Sequence, residues 1–291
     1  MIIPKKIRSH VLSYLPMLGL IPLSGRPKGI SVMMRVKNEE RWIETSIKSI
    51  VNIADEIIIA DNGSTDSTLE VVNRLVVQYS PKIVLYNLPG YDICDLSNAL
   101  LDKTHYYWVL RWDADFVART SGEINIYDFR KRILSLSRQK YYVIYLNRIN
   151  LYVDLLHQWS DHPTYFENYM HVFTEESCYK RFGMYEVLVT PDYFKRLVWE
   201  EPYFFHVDVK SDERMFLRWF WTDWLEAISR GEKYGLNEYI CFRIKKDWGL
   251  NKWEDGVAFV KKELQKKIVK YDENKYGPYP DLLRPYLETL D

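Results

Sequence analysis

Asp113-Ala114-Asp115 places two carboxylates one residue apart at the end of an apolar run, Tyr106-Tyr107-Trp108-Val109-Leu110. Acids that close a buried strand are costly unless positive charge meets them. In extended backbone alternate residues share a face, so the spacing predicts that Asp113 and Asp115 converge on one cation. Oxygen ligands suit a hard divalent ion, Mg²⁺ or Mn²⁺, which keeps part of its water and binds substrate phosphates. The chemistry to expect is a metal–phosphate site at a strand end. A three-residue motif gains weight only from the elements that hold it.

Those elements alternate. Ile30 to Val36 reads as a buried strand, and Asn38 can cap a helix with Glu39 and Glu40 in its first turn, where carboxylates complement the dipole. Trp42, Ile43, Ile47, Ile50 and Val51 give that helix an apolar face. Glu56 to Ala60 is a second strand ending at Asp61, and Asn62-Gly63-Ser64 supplies turn chemistry. A helix follows with Leu69, Val72, Leu75 and Val76 on its inner face. Lys82 to Tyr86 reads as the third strand, Leu96 to Leu101 as part of a third helix, and Tyr106 to Leu110 as the fourth strand. This order is that of an α/β domain with a mostly parallel sheet, whose ligands bind beyond the carboxyl ends of the strands. Asp61, Asp113 and Asp115 all fall at such ends.

Beyond Ser121 the rhythm changes. Tyr141 to Tyr152, Tyr169 to Phe173 and Tyr185 to Val189 read as further strands. From Ser211, a helix cap, the chain turns helical, with a stop at Gly231 and a second helix expected from Asp255 to Lys270. Six of the ten tryptophans lie between Trp199 and Trp253, rings that pack a core or stack on sugar faces. The expected organisation is an N-terminal arm over 1–28, a catalytic domain over 29–210 and a helical, aromatic-rich extension over 211–291.

With 291 residues, 47% hydrophobic and 27% charged, the chain is globular. Forty basic and forty acidic side chains cancel, so no global field draws it to nucleic acid. Cys94, Cys178 and Cys241 are odd in number and far apart. They form neither a zinc site nor a disulfide framework, which fits a cytoplasmic compartment. Lys5, Lys6 and Arg8 precede an apolar stretch from Val11 to Leu23 that is interrupted by Pro16, Gly19 and Pro22. It is too short to span a bilayer and reads as an arm packed on the domain or in shallow membrane contact. Between 255 and 270, Val257, Val260, Leu264 and Ile268 share one helical face, while Lys261, Lys262, Lys266, Lys267 and Lys270 crowd the others. A basic amphipathic helix of this kind suits a solvated surface or the anionic inner face of a membrane.

Four signals in order, Val36-Lys37-Asn38-Glu39-Glu40, Asp61-Asn62-Gly63-Ser64-Thr65-Asp66, Asn98 and Arg111-Trp112-Asp113-Ala114-Asp115, resemble the family 2 glycosyltransferases with the GT-A fold. The resemblance is nearest to members that modify surface polysaccharides and lipopolysaccharide cores, and runs from Gly29 to Val117 with weaker echoes to Lys210. It implies a Rossmann-like, mixed and mostly parallel sheet flanked by helices. Asp61 then matches the acid that accepts a hydrogen bond from the nucleotide base, as uracil offers, though a turn aspartate is the plain alternative. Asp113 matches the first acid of the D-x-D motif, near the ribose and the metal's waters, and Asp115 the direct metal ligand. Arg181-Phe182-Gly183-Met184-Tyr185-Glu186-Val187-Leu188 resembles a Gly-x-x-His-Glu stretch, with Tyr185 in place of histidine. Glu186 is thereby the expected base, with Asp161, Glu200 and Asp208 as competitors. His206 sits where GT-A enzymes carry a late histidine near the metal, and packs equally well in a core. Arg35, Lys37 and Asn38 after the first strand, and Lys210 after His206, are expected at the nucleotide sugar.

The function implied is a metal-dependent, inverting glycosyltransferase that moves a sugar from a nucleotide-diphosphate donor to a hydroxyl of a glycan or lipid-linked acceptor. A retaining enzyme of the same fold and a non-catalytic, carbohydrate-binding pseudo-transferase remain open. A sugar-phosphate nucleotidyltransferase would need a glycine-rich loop after the first strand, where this chain has Arg35-Val36-Lys37-Asn38-Glu39 and no glycine.

Overall fold

The computed structural model describes residues 5–183 and 185–289, with the side chains from residue 9 onward. A short helix, α1 (Lys5–Leu12), comes first. Then β1 (Ile30–Val36), α2 (Ile43–Ile50), β2 (Glu56–Asp61), α3 (Thr68–Gln78), β3 (Ile83–Asn87), α4 (Ile93–Leu101) and β4 (Trp108–Arg111) alternate as expected. Next are β5 (Phe116–Ala118), α5 (Ile126–Ser135), β6 (Tyr142–Tyr152), β7 (His157–Trp159), β8 (Thr164–Val172), β9 (Cys178–Phe182), β10 (Tyr185–Val189) and β11 (Lys195–Asp208). The chain continues through α6 (Asp212–Ser229), α7 (Leu236–Trp248), α8 (Trp253–Gln265), β12 (Ile268–Lys270), α9 (Glu273–Tyr276) and α10 (Arg284–Leu287).

Two compact units emerge, and they are interleaved. Residues up to 149, 164–206 and from 273 onward form the first; 150–163 and 207–272 form the second. The sequence expects an arm over 1–28, a catalytic domain over 29–210 and an extension over 211–291, and local patterning carries no sign that a hairpin after residue 149 groups with the later helices or that the last segment groups with the first unit.

In the first unit β3, β2, β1 and β4 lie side by side and parallel, and β8 and then β6 add on antiparallel. The central strands are apolar runs because both faces are covered. Every residue of β1 except Arg35 is buried, as is all of β4. The apolar face of α2 is buried as the periodicity predicts. Its start is not. Asn38 has φ +57° and the helix begins at Ile43, so Asn38 caps nothing; its side chain accepts from the Thr65 N–H at 2.7 Å instead. At the entry to β1, a Cβ on Gly29 would lie 2.3 Å from the Tyr106 ring, so only glycine fits there.

The second unit has its own core of Met215, Phe216, Phe220, Ile240, Ile244, Val260 and Leu264. Ser211 caps α6 through the Arg214 N–H. Gly256 lets α8 approach α6, since a Cβ there would meet Phe216 at 2.8 Å. The expected helix to Lys270 stops at Gln265, and Ile268–Lys270 pairs with β7 as a strand. The face of α8 that suits a membrane is occupied, because Val260 and Leu264 are core residues. Lys261 on this helix pairs with Asp212 at 2.7 Å, and beyond its end Lys267 lies over the Trp219 ring. Among the described residues no helix is long and apolar enough to cross a membrane.

Candidate functional site

Parallel register places the carboxyl ends together. Val36 lies opposite Asp61, and Met33 opposite Arg111. The acidic pair leaves β4 in a turn rather than in extended chain: the Phe116 N–H donates to the Asp113 carbonyl at 3.0 Å. Strand alternation therefore does not aim the two acids at one point, and each has its own surroundings. Aromatic packing fixes the turn, with Trp112 against Phe204 (4.9 Å) and Phe116 against Phe204 (5.1 Å). The Trp112 indole N–H donates to Ser46 Oγ at 3.0 Å.

Asp113 is partly exposed, at 31%, and faces two arginines. Arg35 Nη2 donates to Oδ1 at 3.3 Å and Arg111 Nε lies 4.0 Å away. Burial disfavours the Asp113 anion, but the Arg111 and Arg35 guanidiniums outweigh it and hold the carboxyl below the ordinary aspartate range. Arg35 also donates from Nη1 to Glu186 Oε1 and, at 2.9 Å, to Ser97 Oγ. One guanidinium thus bridges Asp113 and Glu186. The other carboxylate oxygen, Glu186 Oε2, accepts from Ser97 Oγ at 2.6 Å, and Arg111 Nη1 stands 3.6 Å from Oε1. Glu186 arrives on β10, whose hairpin with β9 sets Glu186 opposite Arg181 in register. Their side chains part company, and Arg181 pairs with Asp92. Of the stretch around Glu186, Met184 lies outside the described residues.

Asp115 is buried, and its Oδ2 lies 3.4 Å from His206 Nε2. His206 reaches it because β11 pairs antiparallel with β5, setting His206 opposite Phe116, whose ring meets the imidazole edge-on at 5.3 Å. A carboxylate oxygen and an imidazole nitrogen at this separation form a donor pair that suits Mn²⁺ or Mg²⁺ with water completing the shell.

Asp61 is buried at the end of β2. Its Oδ1 accepts from the Gly63 and Ser64 N–H groups, both at 2.9 Å, and Oδ2 accepts from the Ser64 hydroxyl. The carboxylate therefore builds the turn beyond β2, while Asp66 accepts from the Thr68 N–H at the start of α3. Asn38 belongs to the same loop cluster, since its own N–H donates to Ser64 Oγ at 2.9 Å. Lys37 is exposed after β1. Lys210 belongs to the second unit, where it lines a small cavity with Asp212 and Lys261.

Residues beyond the expected set complete the network. Arg111 is buried, donates to Glu167 Oε1 and lies over the Tyr169 ring. Burial opposes its charge, yet Asp113, Glu167, Tyr179 and Glu186 together raise its pKa above the arginine norm. Arg148 lies 3.6 Å from Glu167 Oε2, and burial holds its pKa below the ordinary value despite Glu167 and Asp113. A buried arginine at the end of an apolar strand was the available clue for Arg111. Ser97, Arg148 and Glu167 are legible only in three dimensions.

Residues 31–124 match the family described as Glycosyl transferase family 2. The chain is 46% identical over 88 residues to an uncharacterized glycosyltransferase of Rickettsia typhi, a match covering 30% of this chain and 28% of that protein. It is 28% identical over 106 residues to chondroitin synthase of Pasteurella multocida, covering 35% of this chain and 11% of the synthase. The chain thus spans less than a third of the length of either curated relative. Among solved structures it is similar to a mannosyltransferase of Pyrobaculum calidifontis in complex with GDP-Man and Mn²⁺, with a TM-score of 0.44 and 12% identity over 99% of this chain and 92% of that one. The family match runs from β1 past β5 and so takes in Arg35, Asp61, Arg111, Asp113 and Asp115 on the alternating sheet. On these grounds residues 31–124 are similar to the family 2 glycosyltransferases, and the segment that carries the match is the alternating, mostly parallel part of the sheet.

Proposed function

We propose that this protein transfers a sugar from a nucleoside-diphosphate donor, with uridine favoured, to a hydroxyl of a glycan or lipid-linked acceptor, with inversion at the anomeric carbon and with Mn²⁺ or Mg²⁺. The observation that carries the reading is the bridging of Asp113 and Glu186 by Arg35, beside the Asp115–His206 pair, at the carboxyl ends of parallel strands. In this reading Asp115 and His206 hold the ion, which supplies positive charge against the departing diphosphate. Asp61 accepts the base N–H, Asp113 takes the ribose and the metal's waters, and Lys37 and Asn38 contact the donor.

The acceptor oxygen attacks the anomeric carbon opposite the diphosphate, and the bond from that carbon to the phosphate oxygen breaks with its electron pair leaving on the diphosphate. The hydroxyl proton passes to Glu186 Oε1. That oxygen is held by Arg35 in the structure, so Arg35 exchanges the carboxylate for donor phosphate oxygens before Glu186 serves as base. A lipid-linked acceptor would place the enzyme in the cytoplasm at the anionic inner face of a membrane.

Thermal shift with a panel of nucleotide sugars, each with and without Mn²⁺, identifies the donor, because a ligand of the folded state raises its apparent stability. Asp115→Ala should then lower kcat by about 10²–10³-fold, the scale of losing one key electrostatic group. Near-native turnover of that variant at saturating Mn²⁺ would remove the metal role, and NMR of the product anomer reads inversion directly.

A further inference from the structure

The N-terminal arm is sorted into an inner and an outer side. Inward, Leu12 and Ile21 pack on the core of the first unit, and Ser13 and Pro16 are buried. Polar ties hold the arm in place. Ser9 Oγ donates to the Phe194 carbonyl at 2.9 Å, Tyr141 Oη to the Pro22 carbonyl at 2.8 Å, and Arg138 to the Arg26 carbonyl at 2.7 Å. Outward stand Val11, Tyr14, Met17, Leu18, Leu20 and Leu23, with Leu18 70% and Leu20 69% exposed. Val11, Tyr14 and Leu18 share one face of a winding segment whose Leu18 N–H donates to the Tyr14 carbonyl. Isolated exposed leucines need no explanation, but a row of six on an anchored segment does.

The charge of the arm's own sequence is one-sided. No Asp or Glu precedes Glu39, while Lys5, Lys6, Arg8, Arg26 and Lys28 lie in the arm, within a protein whose charges cancel only when the arm is counted. Lys140 adds a cation over the Tyr14 ring at 3.6 Å. An exposed aliphatic row on a segment that carries cations and no acid of its own fits an anionic lipid surface, with apolar side chains entering the acyl boundary and lysines meeting headgroups, while Glu175 and Glu176 line the cavity beside residues 21–26.

We propose that residues 5–28 are an interfacial membrane anchor for anionic lipid, and that this arm, not α8, makes the membrane contact. The contact stands apart from the transfer reaction, since binding to vesicles is read without turnover. The full chain should float with vesicles of mixed phosphatidylcholine and phosphatidylglycerol, and less with phosphatidylcholine alone or in high salt. Combining Leu18→Asp with Leu20→Asp should cut that partition at least about tenfold with unfolding unchanged, because neither side chain packs inside. Lys5→Glu with Lys6→Glu should lower it by a similar factor. Replacing Lys262 and Lys270 by Glu, outside the arm, should leave it unaltered. Absence of co-flotation would overturn the proposal, as would flotation insensitive to the arm variants. So would a concentration-dependent dimer that the leucine variants dissolve, since a second copy would then be the occupant.

Discussion

Arg35 and Glu186 give the most direct test of the site. Arg35→Ala removes a guanidinium 14% exposed from a carboxylate 6% exposed. Breaking a buried ion pair from one side costs about 3–5 kcal/mol, because the remaining charge stays desolvated. Two contacts soften the loss, the Ser97 hydroxyl at 2.6 Å and Arg111 at 3.6 Å. The expected destabilisation is therefore about 2–3 kcal/mol. Glu186→Gln keeps two hydrogen-bonding ends and should cost about 1–2 kcal/mol. Urea unfolding of the native chain, both single variants and the double variant then yields a coupling energy of about 1–2 kcal/mol, the range for residues in one network. Effects that add within about 0.5 kcal/mol would refute the pairing, and with it the inference that one arginine holds both acids. In the same four proteins, a donor diphosphate that recruits Arg35 should bind the Arg35→Ala variant at least about tenfold more weakly, the loss of one charge-assisted contact.

Three further perturbations address neighbouring features. Asp61→Asn leaves a carbonyl oxygen for the Gly63 and Ser64 amides, so its folding cost should be about 1 kcal/mol while uridine nucleotide affinity falls about tenfold; calorimetry returning equal affinity would take Asp61 away from the base. His171 is fully buried, and burial, with Arg26 adding to it, pushes its imidazole down to about 3 from 6.5. Below pH 6.5 the unfolded chain binds a proton that the folded chain refuses, so stability is full above that pH and falls toward pH 3 by about 1.4 kcal/mol per unit. His171→Leu should remove that part of the slope in acid denaturation curves, and an unchanged difference between pH 7 and pH 5 would refute it. Gly29→Ala drives a Cβ into the Tyr106 ring and to 2.8 Å from Asp55 Oδ2. It should cost about 1–3 kcal/mol in thermal unfolding, and a neutral result would mean that Tyr106 gives way freely.

Much of the first unit was legible because its parallel strands are covered on both faces and read as continuous apolar runs. The strand Ile30–Val36 and the helix faces of Ile47 and Leu75 follow from pattern alone. The misread points have physical causes. Asn38 has the chemistry of a cap, but its left-handed backbone serves a loop contact to Thr65. Ile268–Lys270 keeps a helical spacing of apolar residues yet pairs with β7, because pairing depends on a distant partner. The acidic pair follows a strand, and strand geometry does not survive the turn at Asp113. Arg35 and Glu186 are 151 positions apart, so no spacing rule joins them.

The turn divides the labour of the acidic pair. Had the chain stayed extended, two carboxylates on one face would repel each other, and a cation would be needed to keep both ionised. As folded, Asp113 draws its compensation from Arg35 and Arg111, while Asp115 stands beside His206. Asp113 is therefore held as an anion by protein charge, the state that the proposed contact with ribose hydroxyls or metal-bound water requires. In the proposed reading the ion is then held by Asp115 and His206, two residues that the pairing of β5 with β11 brings together. Arg35 stands beside Asp113 and also covers Glu186, so in the proposed reaction donor phosphates that draw this arginine away would uncover the carboxylate. In the proposed reaction, donor binding and exposure of the base are therefore coupled through one side chain, and the acceptor would meet an open carboxylate only after the donor is in place.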